Sequence, residues 1–193
     1  MSYKKILPNQ NIRFKILSLI KYLPDALVIS IQYWLKLSRI PNIKNPKRFS
    51  EKLQWYKLYY RNSLFTECAD KYSVRNYVKS KGLEITLNSL IGVYDTFNDI
   101  EFEKLPEKFV MKTTNGSGTN ILCKDKSEFD VIDAKRKIEK WLRRDIYASG
   151  REWSYKNIKP RIIIENFLED KTNQYEDLND YKFFCFNGKI EFI

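Results

Sequence analysis

The sequence predicts an α+β fold, with helices in front and antiparallel hairpins behind. Three observations carry this. Apolar residues recur at helical spacing between about Ile12 and Lys81. After Gly82 the chain changes to short branched and aromatic runs of strand character. Near the end, Asn187-Gly188 is a strong type I′ hairpin signal. A block of helices followed by a block of strands is the α+β pattern.

The elements follow in order. Ile12, Ile16, Leu19, Ile20 and Leu23 form the stripe of a first helix. Pro24 interrupts it, and Asp25 is placed to cap a second helix running through Leu37. These two helices read either as core elements or as a basic amphipathic element on an anionic membrane. Residues 40–49 hold Pro41, Asn42, Asn45 and Pro46 and form an irregular linker. The predicted division is a helical region with linker over 1–48 and a second unit over 49–193. Ser50 is placed to cap a helix through Tyr59, and Thr66 one that runs to about Lys81 and closes at Gly82. On that helix Lys71 and Arg75 are four apart and share a side, either as solvated cations or as a pair aimed at phosphate.

Residues 83–94 read as strand and loop, 109–114 as a strand, and 121–123 as its antiparallel return. Ser127 is placed to cap a helix whose buried stripe is Val131, Ala134, Ile138, Trp141 and Leu142. Residues 144–159 form a polar, aromatic connection. The run from Arg161 to Leu168 is a strand with both faces buried. Residues 169–179 form a hydrophilic loop, 180–186 a strand, and Lys189 begins the return strand.

Composition narrows the function. The 193 residues are 43% apolar, enough for a packed core. Lys plus Arg total 35 against 24 acids, a net charge of +11. That excess either attracts a polyanion or phosphorylated ligand, or is a solvated basic surface. Histidine is absent, which excludes Ser-His-Asp and Cys-His catalysis and His-bearing zinc sites. Cys68, Cys123 and Cys185 are far apart, without a CxxC pair, and read as small semi-buried residues in a reducing compartment. No secretory signal is legible, and the apolar stretch from Ala26 to Leu37 is shorter than the ~20 residues a membrane span needs. A cytoplasmic location is the expectation.

Residues 109–123 (FVMKTTNGSGTNILC) hold the most informative pattern. Lys112 lies on a strand ahead of a small turn with Gly116, Ser117 and Gly118. Glycines let a backbone approach phosphate closely, exposed N–H groups cradle its oxygens, and lysine adds a compact charge. The alternative is a plain hairpin with a solvated lysine. No Lys-Ser or Lys-Thr follows the glycines, and Ile121 stands where GxGxxG needs its third glycine, so neither a Walker nor a Rossmann loop is present.

Four segments in this order resemble a known family: TECADKYSVR (66–75), Lys112 with NGSG (115–118), PRIIIENFLE (160–169) and DYKFFCFNG (180–188). Together they are similar to the TupA-like ATP-grasp proteins, named for teichuronopeptide synthesis. NPKRFSEKLQW (45–55) fits the family's front region, and the resemblance covers about residues 40–193.

The resemblance implies an ATP-grasp fold and a nucleotide site. Arg75 and Lys112 would reach the ATP phosphates, and Gly116, Ser117 and Gly118 would close over them. Glu165 would accept from the adenine amino group, with the backbone of Phe167 and Leu168 reading the ring edge. Asp180 would bind the ribose hydroxyls, and Lys182 would face phosphate or substrate. No catalytic residue is assigned. Without the resemblance, Glu165 and Asp180 read as strand-end carboxylates in surface ion pairs.

The implied reaction is carboxylate activation through an acyl phosphate followed by amine attack, in cell-surface polysaccharide or teichuronopeptide modification. ATP and Mg2+ are the implied cofactors. The magnesium ligands are expected beyond Ile193, which makes this chain the front part of such a ligase, inactive alone. The expected partners are ATP and a glycan-linked carboxylate and amine, without nucleic acid, and with peripheral contact to an anionic membrane as a further reading. The alternative is a non-catalytic basic module that holds nucleotide or polyanion. A glycosyltransferase ranks below both, since no DxD motif is present.

Overall fold

The computed structural model describes residues 19–169, 178 and 180–193. The described residues form six α-helices: α1 (Asp25–Leu37), α2 (Phe49–Tyr59), α3 (Ser63–Ala69), α4 (Val74–Ser80), α5 (Val131–Leu142) and α6 (Ile146–Gly150). Six strands accompany them: β1 (Leu90–Tyr94), β2 (Phe109–Thr113), β3 (Asn120–Cys123), β4 (Ile162–Asn166), β5 (Phe184–Phe186) and β6 (Lys189–Phe192). The first four strands make an antiparallel sheet in the order β1-β4-β2-β3, and β5 and β6 make a separate hairpin. The α+β expectation holds, with hairpins where the change of periodicity placed them.

Successive strand residues face opposite sides of a sheet, and β2 and β4 exploit this. Phe109 and Met111 on β2 and Ile162 and Ile164 on β4 point to one side and are fully buried. Ala134 and Ile138 of α5 cover them, with Phe97, Ile100 and Leu105 closing the cluster. On the opposite side stand Val110 and Lys112 from β2 and Ile163 and Glu165 from β4. Four consecutive β4 residues, Ile162 to Glu165, are buried, as its unbroken apolar run predicts. The β5–β6 turn has Asn187 at φ 50° and Gly188 at φ 78°, the left-handed pair a type I′ turn requires.

The helix starts differ from expectation, because better partners take the capping side chains. Asp25 does not cap α1. Its carboxylate pairs with Arg151 at 3.3 Å and accepts from the Tyr147 hydroxyl. Ser50 does not cap α2 and instead bonds the Tyr33 hydroxyl at 2.9 Å. There Glu51 accepts from the backbone N–H groups of Arg48, Lys47 and Asn42 at 3.0–3.3 Å. Ser127 bonds Asp125, and Asp130 caps α5 by accepting from the Asp133 N–H at 2.8 Å.

The single helix expected over 66–81 is two helices, α3 and α4. Asn62, not Thr66, caps α3. Asp70 breaks the run by accepting from the Tyr72 N–H at 2.9 Å and the Ser73 hydroxyl at 3.0 Å, a local turn that competes with helical bonding. Lys71 therefore sits in the turn between the helices. Cys123 is buried, whereas Cys68 and Cys185 are exposed rather than semi-buried, and all three are free. Ile12 and Ile16 and nearly all of the loop over 169–179 lie outside the described residues. Among those residues no helix is long and apolar enough to cross a membrane.

The front helices are held by several residues of the connection before β4, Arg151 foremost. Arg151 has φ 52° and is 2% exposed. It donates to the carbonyls of Ile20 at 2.7 Å and Lys21 at 3.1 Å, and Gln32 on α1 donates to the Ser149 carbonyl at 2.9 Å.

Two measurements test this architecture. Ile138→Ala removes a fully buried side chain from the α5–sheet contact and should cost about 2–5 kcal/mol in urea unfolding. Glu51 has its pKa lowered from 4.5 to about 2, chiefly by the Arg48 N–H. A depressed carboxyl contributes stability that is complete above its unfolded value and lost as pH falls through its folded one. The stability advantage of the native chain over Glu51→Gln should therefore shrink as pH falls from 4.5 to about 2. An advantage constant across that window would show that Glu51 is not acting as a charged cap.

Candidate functional site

The face of the sheet away from the core carries a charge cluster. Val110 lies opposite Glu165 and Lys112 opposite Ile163, so Lys112 and Glu165 are diagonal neighbours on one face, within reach of long side chains. Lys112 Nζ meets Glu165 Oε2 at 2.6 Å. From α4, Arg75 places one guanidinium nitrogen 2.9 Å from Glu165 Oε1 and donates with the other to the Asn88 carbonyl at 2.6 Å. The Arg75 and Glu165 side chains are 12% and 8% exposed, so neither is a solvated surface group. Lys112 keeps 26% of its side chain open to solvent.

A third cation stands beside them. Lys71 donates to the Thr113 carbonyl at 2.9 Å and also to the Gly116 carbonyl. Burial and the neighbouring charge of Lys112 hold its ammonium below the usual lysine range, while Asp70 and Glu165 pull the other way. Glu165 thus faces Arg75 and Lys112 directly and acts electrostatically on Lys71. The cluster carries more positive than negative charge, the condition for drawing in an anion.

The β2–β3 turn is anchored at its base and open at its tip. Asn115 Nδ2 reaches the carbonyls of Trp141, Leu142 and Arg144 at 3.3–3.4 Å, satisfying the C-terminal end of α5. Gly116 is buried, and a Cβ there would fall 3.2 Å from the Ile146 side chain, so close packing explains the glycine. Gly118 has φ +66°, which favours glycine over any other residue. Ser117 and Gly118 are exposed. Thr113 Oγ1 and Asn115 Oδ1, at the base, are buried without a hydrogen-bond partner.

A second ion pair lies alongside, with its acid buried. Arg161, at the start of β4, meets Asp70 at 2.9 Å and stacks its guanidinium 4.5 Å from the Tyr72 ring centroid. A cleft of about 710 Å³ opens on this side, lined by Thr66, Asp70, Trp153, Lys159 and Arg161 among others. Neither Lys112 nor Glu165 lines it.

Arg75, Lys112 and Glu165 therefore come together, and the Gly116–Gly118 turn joins them through Lys71. Phe167, half-buried, and Leu168, 51% exposed, follow directly on the end of β4. Asp180 and Lys182 do not join the cluster among the described residues. Their side chains are 92% and 77% exposed, and they lie 3.9 Å from one another. Each oxygen of Glu165 is engaged by one cation, so the carboxylate acts here as their counter-ion. Sequence reasoning singles out Lys71 only as a phosphate-directed partner of Arg75, and does not foresee Asn115 as a residue that anchors the site. The four-residue spacing to Arg75 was a signal for Lys71, whereas nothing local marks the reach of Asn115 to α5.

Comparison with curated proteins and with solved structures returned no match. A family model described as TupA-like ATPgrasp matches residues 51–193, a span that holds the Lys71–Arg75–Lys112–Glu165 cluster and the glycine turn. With nearly three-quarters of its length matched, this chain belongs to the TupA-like ATP-grasp family.

Proposed function

We propose that the charge cluster and its glycine turn form the phosphate side of an ATP site in a carboxylate–amine ligase. The observation that carries this reading is three cations, Lys71, Arg75 and Lys112, gathered around one buried carboxylate beside an exposed Ser117-Gly118 tip. ATP, when bound, supplies a phosphoryl group that activates a carboxylate as an acyl phosphate for attack by an amine. The chain's own part is positioning and charge neutralisation. Lys112, the most open of the bonded cations at Glu165, offers a point charge, and Arg75 offers a planar fork held in place by Asn88. The turn offers backbone N–H groups at Ser117 and Gly118. Phe167 and Leu168 are the proposed adenine-edge residues by their place after β4. Asp180 and Lys182 remain proposed ribose and substrate residues through the family motif alone.

The residues described do not fit magnesium. No group of three His, Cys, Asp or Glu side chains among them can hold a metal ion, and Glu165 is taken by cations. The proposed acceptors are a carboxylate and an amine borne on surface polysaccharide or teichuronopeptide, the chemistry for which the family is named.

ATP should raise the melting temperature saturably. Lys112→Ala, confirmed folded by circular dichroism, should weaken binding about tenfold or more, as expected for losing a charge-assisted contact. Saturable, salt-sensitive binding to nucleic acid, with none selective for ATP, would instead establish a general polyanion module. A second test addresses the counter-ion. Glu165→Gln leaves the part-buried Arg75 and Lys112 without their carboxylate and should lower stability in urea unfolding by at most about 3–5 kcal/mol. Part of that loss should return with inorganic phosphate, which can take the vacated charge position.

A further inference from the structure

Helix α1 is apolar on both sides, although among the described residues only one side is covered. Val28, Ile29 and Tyr33 face inward and are at most 4% exposed. Leu27, Ile31 and Trp34 follow at i, i+4 and i+7 on the opposite side, 47%, 45% and 55% exposed. Ser30, the polar residue of that side, turns its hydroxyl back to the Ala26 carbonyl at 2.7 Å. Leu23 and Tyr22 extend the open apolar surface toward the chain start. A helix that is apolar all round is ordinarily buried all round, so something must cover this face.

Charge identifies the cover. Between Leu19 and Arg48 the chain carries Lys21, Lys36, Arg39, Lys44, Lys47 and Arg48. The one acid in that span is Asp25, which is turned inward to Arg151 and Tyr147. An apolar strip within a cation-rich segment, with its one acid withdrawn, complements a surface that is apolar within and anionic at its rim. Trp34 and Tyr22 are the aromatic types that settle at the headgroup level of a bilayer. A helix of 13 residues is about 20 Å long, too short to span the hydrocarbon core, so it would lie in the plane of the interface.

We propose that the outer face of α1, with its flanking cations, docks this protein on an anionic lipid bilayer. The surface is built without any residue of the nucleotide cluster, so the two readings stand or fall separately. Docking would hold the enzyme where membrane-borne glycan substrates are presented.

The test is co-sedimentation of the full chain with vesicles of phosphatidylcholine alone and of phosphatidylcholine with phosphatidylglycerol, at low and high salt, with ATP binding measured on the same samples. The expected result is binding to the anionic vesicles, weakened by salt, with a blue shift in fluorescence that Trp34→Phe abolishes. Leu27→Ser with Ile31→Ser should lower the partition coefficient about tenfold or more, through lost apolar burial, with melting and ATP binding unchanged. Should that double variant fail to fold, Lys21→Gln with Arg39→Gln and Lys44→Gln decides, since it must weaken anionic binding while leaving the core untouched. Equal binding to both vesicle types, binding that survives the double variant, or no binding to either would overturn the proposal. In the last case, a dimer by size exclusion that the double variant dissociates would assign the face to a second copy of the chain.

Discussion

The structure turns on a single buried carboxylate. Glu165 lies on a central strand of the sheet, 6% exposed, where an unpaired charge would be costly enough to prevent burial. It is tolerated because Lys112 arrives from β2 and Arg75 from α4, one on each oxygen. These contacts tie a helix to a sheet and two neighbouring strands to each other. Removing Glu165 leaves both cations without their counter-ion, and removing either cation leaves one carboxylate oxygen unpaired, so the cluster is a constraint on the fold before it is a site. The same constraint makes the site: the cations are held in place by structure and need no ligand to gather them.

Alternation along β2 and β4 divides the work between two faces. One face supplies Phe109, Met111, Ile162 and Ile164 to the core beneath α5, a contact that scales with apolar area and close packing. The other supplies Lys112 and Glu165, whose value depends on geometry to a fraction of an ångström. The turn that follows β2 is tied to both: Asn115 holds the end of α5, and Lys71 holds the carbonyls of Thr113 and Gly116. Its exposed tip at Ser117-Gly118 is therefore carried on a rigid base.

Part-buried Arg161 and buried Arg151 act as cross-links elsewhere in the same way. Arg161 joins β4 to the α3–α4 turn through Asp70, and Arg151 joins the connection before β4 to the front helices through Asp25 and two carbonyls. These contacts explain why so many local expectations at helix starts missed. Asp25, Ser50 and Thr66 each stand where a cap belongs by sequence. Asp25 and Ser50 have partners that only the folded chain brings near, and at α3 Asn62 does the capping. Asp70 matters most, because its turn splits one predicted helix in two and moves Lys71 off the helical face it was expected to share with Arg75.

The sequence by itself determined the periodicities, and with them the α+β class, the strands around Lys112 and Glu165, the Asn187-Gly188 turn and the α5 stripe of Ala134, Ile138, Trp141 and Leu142, although Val131, expected in that stripe, is 40% exposed at the helix start. These are local properties, set by side-chain spacing and backbone preference. Family motifs in a fixed order also made the ATP-grasp assignment legible. Tertiary structure alone decided the strand order β1-β4-β2-β3, and so that β2 and β4 are neighbours. It alone decided that Glu165, ninety residues beyond Arg75 and fifty-three beyond Lys112, is counter-ion to both. Pairings at such separations carry no local signal, because the stabilisation arises from burying opposite charges together and exists only once the chain has closed the distance.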